Sequence, residues 1–214
     1  MGSVGKSGRV DRDDLGVPTP PRGDSVLLLA SSMERPPAPD CVTLNGATAT
    51  DGNVVTMALD GSVRGVIDEW TTDAGELPAR LAVVTVGEAQ RSAAATDGGN
   101  GGPAPLPGNV STASVSTPGD LTGLGIKLSQ CLSSWSGDGN ETAVEVDSLT
   151  TLLQFAELKR VFQFVHVLTG RIDSAGAVGF FHLDPSAHGD QTVATLRGVF
   201  DTVYEYGADG WEPA

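Results

Sequence analysis

Residues 142–150 read TAVEVDSLT, a short apolar run that ends in an aspartate and a serine. Such a run is typical of a strand that is covered on both faces of a sheet. Asp147 and Ser148 then lie at the carboxyl end of the strand, where α/β folds bind ligands. Two interpretations of this pair stay open. In the first, Asp147 helps to hold a magnesium ion. In the second, one of the two residues caps the first amides of the following helix.

Similar apolar runs recur along the chain, each bounded by turn-forming residues. They predict strands at residues 26–30, 54–59, 81–86, 143–146, 177–181 and 202–206, with a weaker one at 111–116. Apolar residues spaced by three and four predict helices at 63–72, 119–135, 149–169 and 190–199. Asp120 suits the positive N-terminal end of the second helix, and Gly170 is the expected stop of the third. This alternation predicts an α/β fold with a mostly parallel central sheet and helices on both faces.

The length of 214 residues fits one domain, which we expect at residues 25–206. The head at 1–24 is polar, charged and rich in proline and glycine, so we expect it to be flexible. A stretch rich in glycine and proline at about 90–109 predicts a flexible insertion, and residues 207–214 form a tail. Gly5-Lys6-Ser7 has no strand before it and is therefore not a phosphate-binding loop.

The chain is strongly acidic, with 27 acidic and 13 basic residues and a formal charge of −14. This composition is typical of proteins from salt-loving archaea, because molar salt screens the repulsion between carboxylates. No basic patch is present to neutralise phosphates, so we expect no direct nucleic-acid binding. No apolar run approaches the roughly 18 residues that span a bilayer, so we expect no membrane partner and a cytoplasmic location. Cys41 and Cys131 have no metal-like spacing and are expected to be reduced thiols.

Several stretches together resemble a haloarchaeal family of uncharacterised RecA/KaiC-like proteins. They are residues 118–126 (PGDLTGLGI), 142–150, 158–162 (LKRVF), 176–183, 190–196 (DQTVATL) and 200–201. The likeness covers residues 25–206 without the insertion. Members of that family are described as ATPase-like, with a P-loop NTPase fold, and are linked to signal transduction. The resemblance implies a RecA/KaiC-like fold of archaeal origin, with Asp147 at the Walker B position.

The chain departs from the active members of that family where their chemistry resides. In place of the glycine-lysine-threonine loop after the first strand it has residues 31–37, SSMERPP. No lysine is present to reach the phosphates, and Glu34 would repel them. In place of paired glutamates after the second strand it has Leu59 and Asp60. The resemblance therefore implies a degenerate Walker A motif, no catalytic residues and no ATP hydrolysis.

These observations lead to one expected function and one alternative. We expect a non-catalytic RecA/KaiC-like regulatory or scaffold protein in signal transduction, a pseudo-ATPase that needs no cofactor. It would act by binding a protein partner or by self-association. The alternative is a weak sensor that binds ATP with magnesium, without turnover, through Asp60, Asp147 and Ser148.

A metal site is a further hypothesis, carried by His182, Asp184 and His188. Two imidazoles and a carboxylate at a strand end can bind a metal, but this spacing matches no common zinc pattern. Pro185 suits a strand-to-helix turn instead. The competing interpretation is that His188 and Asp190 cap the next helix.

Overall fold

The computed structural model describes residues 19–33, 51–87, 105–208 and 210–214. In this part of the chain, eight strands form one sheet. They are β1 Ser25–Leu29, β2 Asn53–Ala58, β3 Arg80–Val86, β4 Val110–Val115, β5 Thr142–Asp147, β6 Val178–Leu183, β7 Thr202–Gly207 and β8 Gly210–Pro213. Their order is β4-β3-β2-β5-β6-β1-β7-β8, and all neighbours run parallel except β7 and β8. The predicted mostly parallel α/β fold is confirmed.

Helices cover both faces of the sheet. They are α1 Val63–Glu69, α2 Leu121–Trp135, α3 Leu149–Phe155, α4 Leu158–Ser174 and α5 Asp190–Arg197. A π-helical turn, Trp70–Ala74, extends α1. The buried residues of α2 to α5 pack on one face, and those of α1 on the other. Within the described ranges, no helix has the length and apolar character needed to cross a membrane.

Successive residues of the central strands enter two different cores. In β5, Val144 and Val146 pack beneath α2 to α5, whereas Ala143 belongs to the core beneath α1. In β6, Phe180 and Phe181 are both fully buried although they point to opposite faces. This burial on two sides explains why the strands appear in the sequence as continuous apolar runs.

The helix expected at 149–169 is wrong in two respects, because the structure has two helices and the second passes Gly170. Ala156 has extended backbone (φ −144°, ψ 148°), which ends α3. Phe155, an apolar residue of the expected helix, is 53% exposed. The helix α4 continues to Ser174 because Ile172 extends its buried stripe by one more turn.

Helix starts agree with the sequence in one case and differ in another. Asp120 lies at the N-terminal end of α2, as predicted. It is the N-cap, and its Oδ1 accepts a hydrogen bond from Gly123 N at 2.9 Å. The expected caps of α5 are wrong: the N-cap is Gly189, with no side-chain hydrogen bond, and Asp190 is the first helical residue. His188 bonds elsewhere, as described below.

The residues assigned to a tail, 207–214, contain the edge strand β8. Trp211 is 3% exposed, and its ring lies 5.1 Å from that of Tyr206 in an edge-on contact. Burial of this indole draws the end of the chain back onto the sheet.

Candidate functional site

The carboxyl ends of β2 and β5 meet at a point where the chain leaves in opposite directions. From β2 it continues to β3 and β4, and from β5 it continues to β6, on the other side. The connecting helices lie on opposite faces, α1 after β2 and the pair α3 and α4 after β5. Such a switch point is where open α/β sheets bind ligands.

The structure brings two predicted site residues to this switch point. Asp60 follows β2, and Asp147 is the last residue of β5. The amide of Leu59 donates to the carbonyl oxygen of Asp147 at 2.8 Å, which ties the two strand ends together. The sequence placed both carboxylates at the same edge correctly, because carboxyl ends of parallel strands share one edge.

A cavity of about 150 Å³ opens at this edge. Its lining residues are Ala30, Ser32, Asp60, Asp147, Ser148, His182, Leu183 and Asp184. All three predicted nucleotide-site residues are among them, as are two of the three metal candidates. The cavity formed by the described residues is smaller than the roughly 300–1,000 Å³ typical of small-molecule pockets.

Ser148 begins α3. Its Oγ accepts a hydrogen bond from Thr151 N at 3.2 Å and lies 3.2 Å from Thr151 Oγ1. The peptide bond between Asp147 and Ser148 is cis. The capping interpretation is therefore confirmed for Ser148, whereas Asp147 lines the cavity.

The carboxylate of Asp184 is surrounded by donors from two serines. Its Oδ2 accepts from Ser32 N at 3.0 Å and from Ser32 Oγ at 2.7 Å. Its Oδ1 accepts from Ser186 N at 2.9 Å and from Ser186 Oγ at 2.6 Å. Burial acts to raise the pKa of Asp184, but the bonds from Ser186 and Ser32 outweigh it and hold the pKa far below its usual value. Asp184 thus fastens the loop after β1 to the end of β6 as a carboxylate.

The same segment is tied to α3 through Thr150. The amide of Asp184 donates to Thr150 Oγ1 at 2.9 Å, and His188 Nε2 lies 3.2 Å from the same oxygen. Burial lowers the pKa of His188, and the charge of Asp184 offsets only part of that effect. His188 therefore holds the turn in place as a neutral imidazole at pH 7.

A buried polar cluster, formed by Thr56, Glu145 and His182, lies beneath the cavity. Thr56 Oγ1 donates to Glu145 Oε2 at 3.1 Å, and His182 Nε2 lies 3.8 Å from Glu145 Oε1. Glu145 is 4% exposed and His182 is 5% exposed. Sequence reasoning did not single out Glu145, although a glutamate inside an apolar strand run is itself a signal of a buried polar contact.

The three metal candidates have different partners. His182 faces Glu145, Asp184 binds two serines, and His188 contacts Thr150. Across the described ranges, no group of three or more His, Cys, Asp or Glu side chains is placed to hold a metal ion. The geometry gives Asp184 and His188 roles in fastening loops, whereas His182 belongs to the buried cluster with Glu145.

Only part of the segment predicted to replace the Walker A loop is described. Ser31, Ser32 and Met33 are placed, and residues 34–37, with Glu34, lie outside the described residues. Cys41, the head at 1–18 and residues 88–104 of the predicted insertion also lie outside them.

A larger cavity, of about 730 Å³, lies at the opposite, amino edge of the sheet. Its two arginines are engaged within the chain. Arg22 pairs with Glu141 at 2.7 Å, and Arg171 Nη1 donates to Gly125 O at 2.9 Å and to Ser129 Oγ. These contacts join α2, α4 and the start of β5, so we assign the two arginines a structural role.

The fold and the site define a mostly parallel α/β domain with carboxylates at its switch point. A model of a family of unknown function, DUF7504, matches residues 23–206, and the chain belongs to that family. No curated protein matches the sequence.

A structure from Pyrococcus horikoshii OT3 is similar in fold, with a TM-score of 0.58 and 15% identity over 91% of this chain and 87% of that chain. The fold is widespread, with 308 matching chains of known structure. The likeness therefore shows the architecture alone.

Proposed function

We propose that the protein is a non-catalytic RecA/KaiC-like regulatory or scaffold protein that acts in signal transduction through protein contacts. One observation carries the proposal, namely that Asp184 holds the loop after β1. In a phosphate-binding loop, the amides that follow the first strand point at phosphate oxygens. Here the amide and the hydroxyl of Ser32 both donate to a carboxylate of the same chain.

The charge at this edge supports the same conclusion. Asp60, Asp147 and Asp184 line one small cavity, in a chain of net charge −14. A nucleotide triphosphate would bring further negative charge to carboxylates that are already close together. The sequence from 31 to 50 contains no lysine to offset that repulsion, and its one arginine, Arg35, directly follows Glu34. Phosphoryl transfer depends on such positive charge, so we infer that this site does not hydrolyse ATP.

A second candidate is a weak sensor that binds ATP with magnesium and does not turn it over. The observation in its favour is that Asp60 and Asp147 lie together at the switch point, where a magnesium ion would be held by carboxylates. Ser148 is less suited to this role because its hydroxyl already caps α3.

The proposed setting is the cytoplasm of a salt-loving archaeon. The excess of acidic over basic residues supports it, since such a surface stays hydrated and soluble in molar salt.

A hydrolysis assay tests the proposal directly. Phosphate release from ATP with magnesium is measured in molar potassium chloride for the wild type, Asp147→Asn and, as a control at the amino edge, Asp138→Asn. We expect the same background rate from all three proteins. Magnesium-dependent turnover in the wild type that Asp147→Asn abolishes and Asp138→Asn retains would contradict the proposal.

A further inference from the structure

The two edges of the sheet are built differently. The edge strand β8 has four residues, GWEP, and includes Glu212 and Pro213. The edge strand β4 has six residues, VSTASV, without a charge or a proline. Natural sheets protect their edges with short strands, charges and prolines, because an open edge pairs with other strands. The edge at β8 has these protections, and the edge at β4 lacks them.

Every second residue of β4 points its backbone N–H and C=O groups away from the sheet. Leu81 N donates to Asn109 O at 3.0 Å, and Gly87 N donates to Val115 O at 2.8 Å. Odd-numbered residues therefore bond to β3, and because direction alternates along a strand, Thr112 and Ser114 turn their N–H and C=O groups outward. In the described part of the chain, no strand pairs with that side.

The charge distribution indicates what pairs there. No residue between Asp97 and Asp120 is charged, in a chain of net charge −14. Two copies of so acidic a protein repel wherever their carboxylates face each other, and like charges directly opposite destabilise paired strands. A basic partner would instead be drawn to the charged surfaces. The uncharged edge suits a second copy.

We propose that β4 pairs antiparallel with β4 of a second copy of this chain. The two copies form a symmetric dimer in which two eight-stranded sheets join into one. Thr112 and Ser114 of each copy supply the backbone hydrogen bonds across the joint. This inference rests on the proposed function, to which it adds the surface for self-association. The two can fail separately, since the dimer test does not involve nucleotide.

Sedimentation velocity in molar potassium chloride tests the dimer. We expect the wild type to sediment as a species whose mass is twice the 21.9 kDa of one chain. Thr112→Pro removes an outward N–H, and an edge strand tolerates this because no strand of the described residues pairs with that side. We expect it to weaken dimerisation about tenfold or more, given two lost hydrogen bonds per dimer. Thr112→Val keeps the N–H and is the matched control, which should remain dimeric.

Ser114→Lys provides a second variant that keeps the backbone intact and adds a charge to the edge. We expect it to be monomeric with an unchanged circular dichroism spectrum, so that a folding defect in Thr112→Pro would not decide the question. A wild type that stays monomeric at high concentration would overturn the proposal. So would a dimer that survives both Thr112→Pro and Ser114→Lys, because its interface would lie elsewhere.

Discussion

The two ends of the parallel strands each hold a carboxylate that fastens loops, but they do so with different partners. At the amino edge, Asp138 accepts from Asn140 N at 2.9 Å and Asn53 Nδ2 at 2.9 Å, and Arg80 lies 3.1 Å away. At the carboxyl edge, Asp184 accepts from two serines, beside the cavity that Asp60 and Asp147 also line. Asp138 is thus paired with the positive charge of Arg80, whereas Asp184 lies beside two further carboxylates.

This difference bears on the proposal that the protein is non-catalytic. Ligands of open α/β sheets bind at the carboxyl edge, yet the larger cavity lies at the amino edge, about 730 Å³ against about 150 Å³. The amide and the hydroxyl of Ser32, donors that a nucleotide would need, are bonded to Asp184. If the carboxyl edge is structural, as we propose, changes there should affect folding more than chemistry.

The largest effect is expected beneath the carboxyl edge, at Glu145. Glu145→Ala removes the acceptor of Thr56 and the carboxylate beside His182, and it leaves a gap in the sheet face. We expect a loss of about 3 kcal/mol in the free energy of unfolding, measured by urea denaturation. Glu145→Gln keeps the volume and one acceptor and should lose less. Equal losses in the two variants would contradict this expectation, because the negative charge beside His182, and not the volume or the hydrogen bond from Thr56, would then carry the whole effect.

The next effect is expected at Asp184. Asp184→Ala removes the acceptor of four hydrogen bonds that join the β1 loop and the turn after β6. We expect a loss of about 2–3 kcal/mol in the free energy of unfolding, since bonds to a charged group contribute more than neutral ones. Asp184→Asn should lose less, because one oxygen remains. A loss in Asp184→Ala no greater than in Asp138→Asn would remove the distinction between the two edges.

The contribution of Asp184 should also depend on pH in a known direction. Its pKa lies below the usual value of 3.8, so the folded state favours the carboxylate. That stability is fully present above about pH 5 and is lost as pH falls through 3.8 towards the folded pKa. The difference in Tm between wild type and Asp184→Asn should therefore shrink between pH 5 and 3, which thermal unfolding across this range measures. A difference that stays constant would contradict the assignment.

The smallest effect is expected at Ser148. Ser148→Ala removes the cap of α3 and should cost about 1 kcal/mol in the free energy of unfolding. Asp120→Ala is the matched change at the start of α2. Similar losses in the two variants would confirm that Ser148 is a cap and nothing more. A loss in Ser148→Ala that appears only when magnesium is present would instead support the sensor.

Local patterns in the sequence predicted the strands, and the resemblance placed Asp60 and Asp147 in one candidate site. Apolar runs define buried strands, and parallel strands end at one edge. The bond between Ser32 and Asp184 joins residues that are 152 positions apart, and no periodicity encodes it. The break at Ala156 was missed because apolar spacing continues across it. The strand β8 was missed because GWEP has no strand-like alternation. Its pairing with β7 and the burial of Trp211 hold it on the sheet.

Calorimetric titration of ATP with magnesium into the purified protein, in molar potassium chloride, measures whether the carboxyl edge binds nucleotide. Under the proposed function, the amide and hydroxyl of Ser32 serve Asp184 and not a phosphate, so we predict no saturable heat beyond dilution. Saturable, magnesium-dependent binding that Asp147→Asn abolishes would contradict this account and identify the carboxyl edge as a nucleotide sensor.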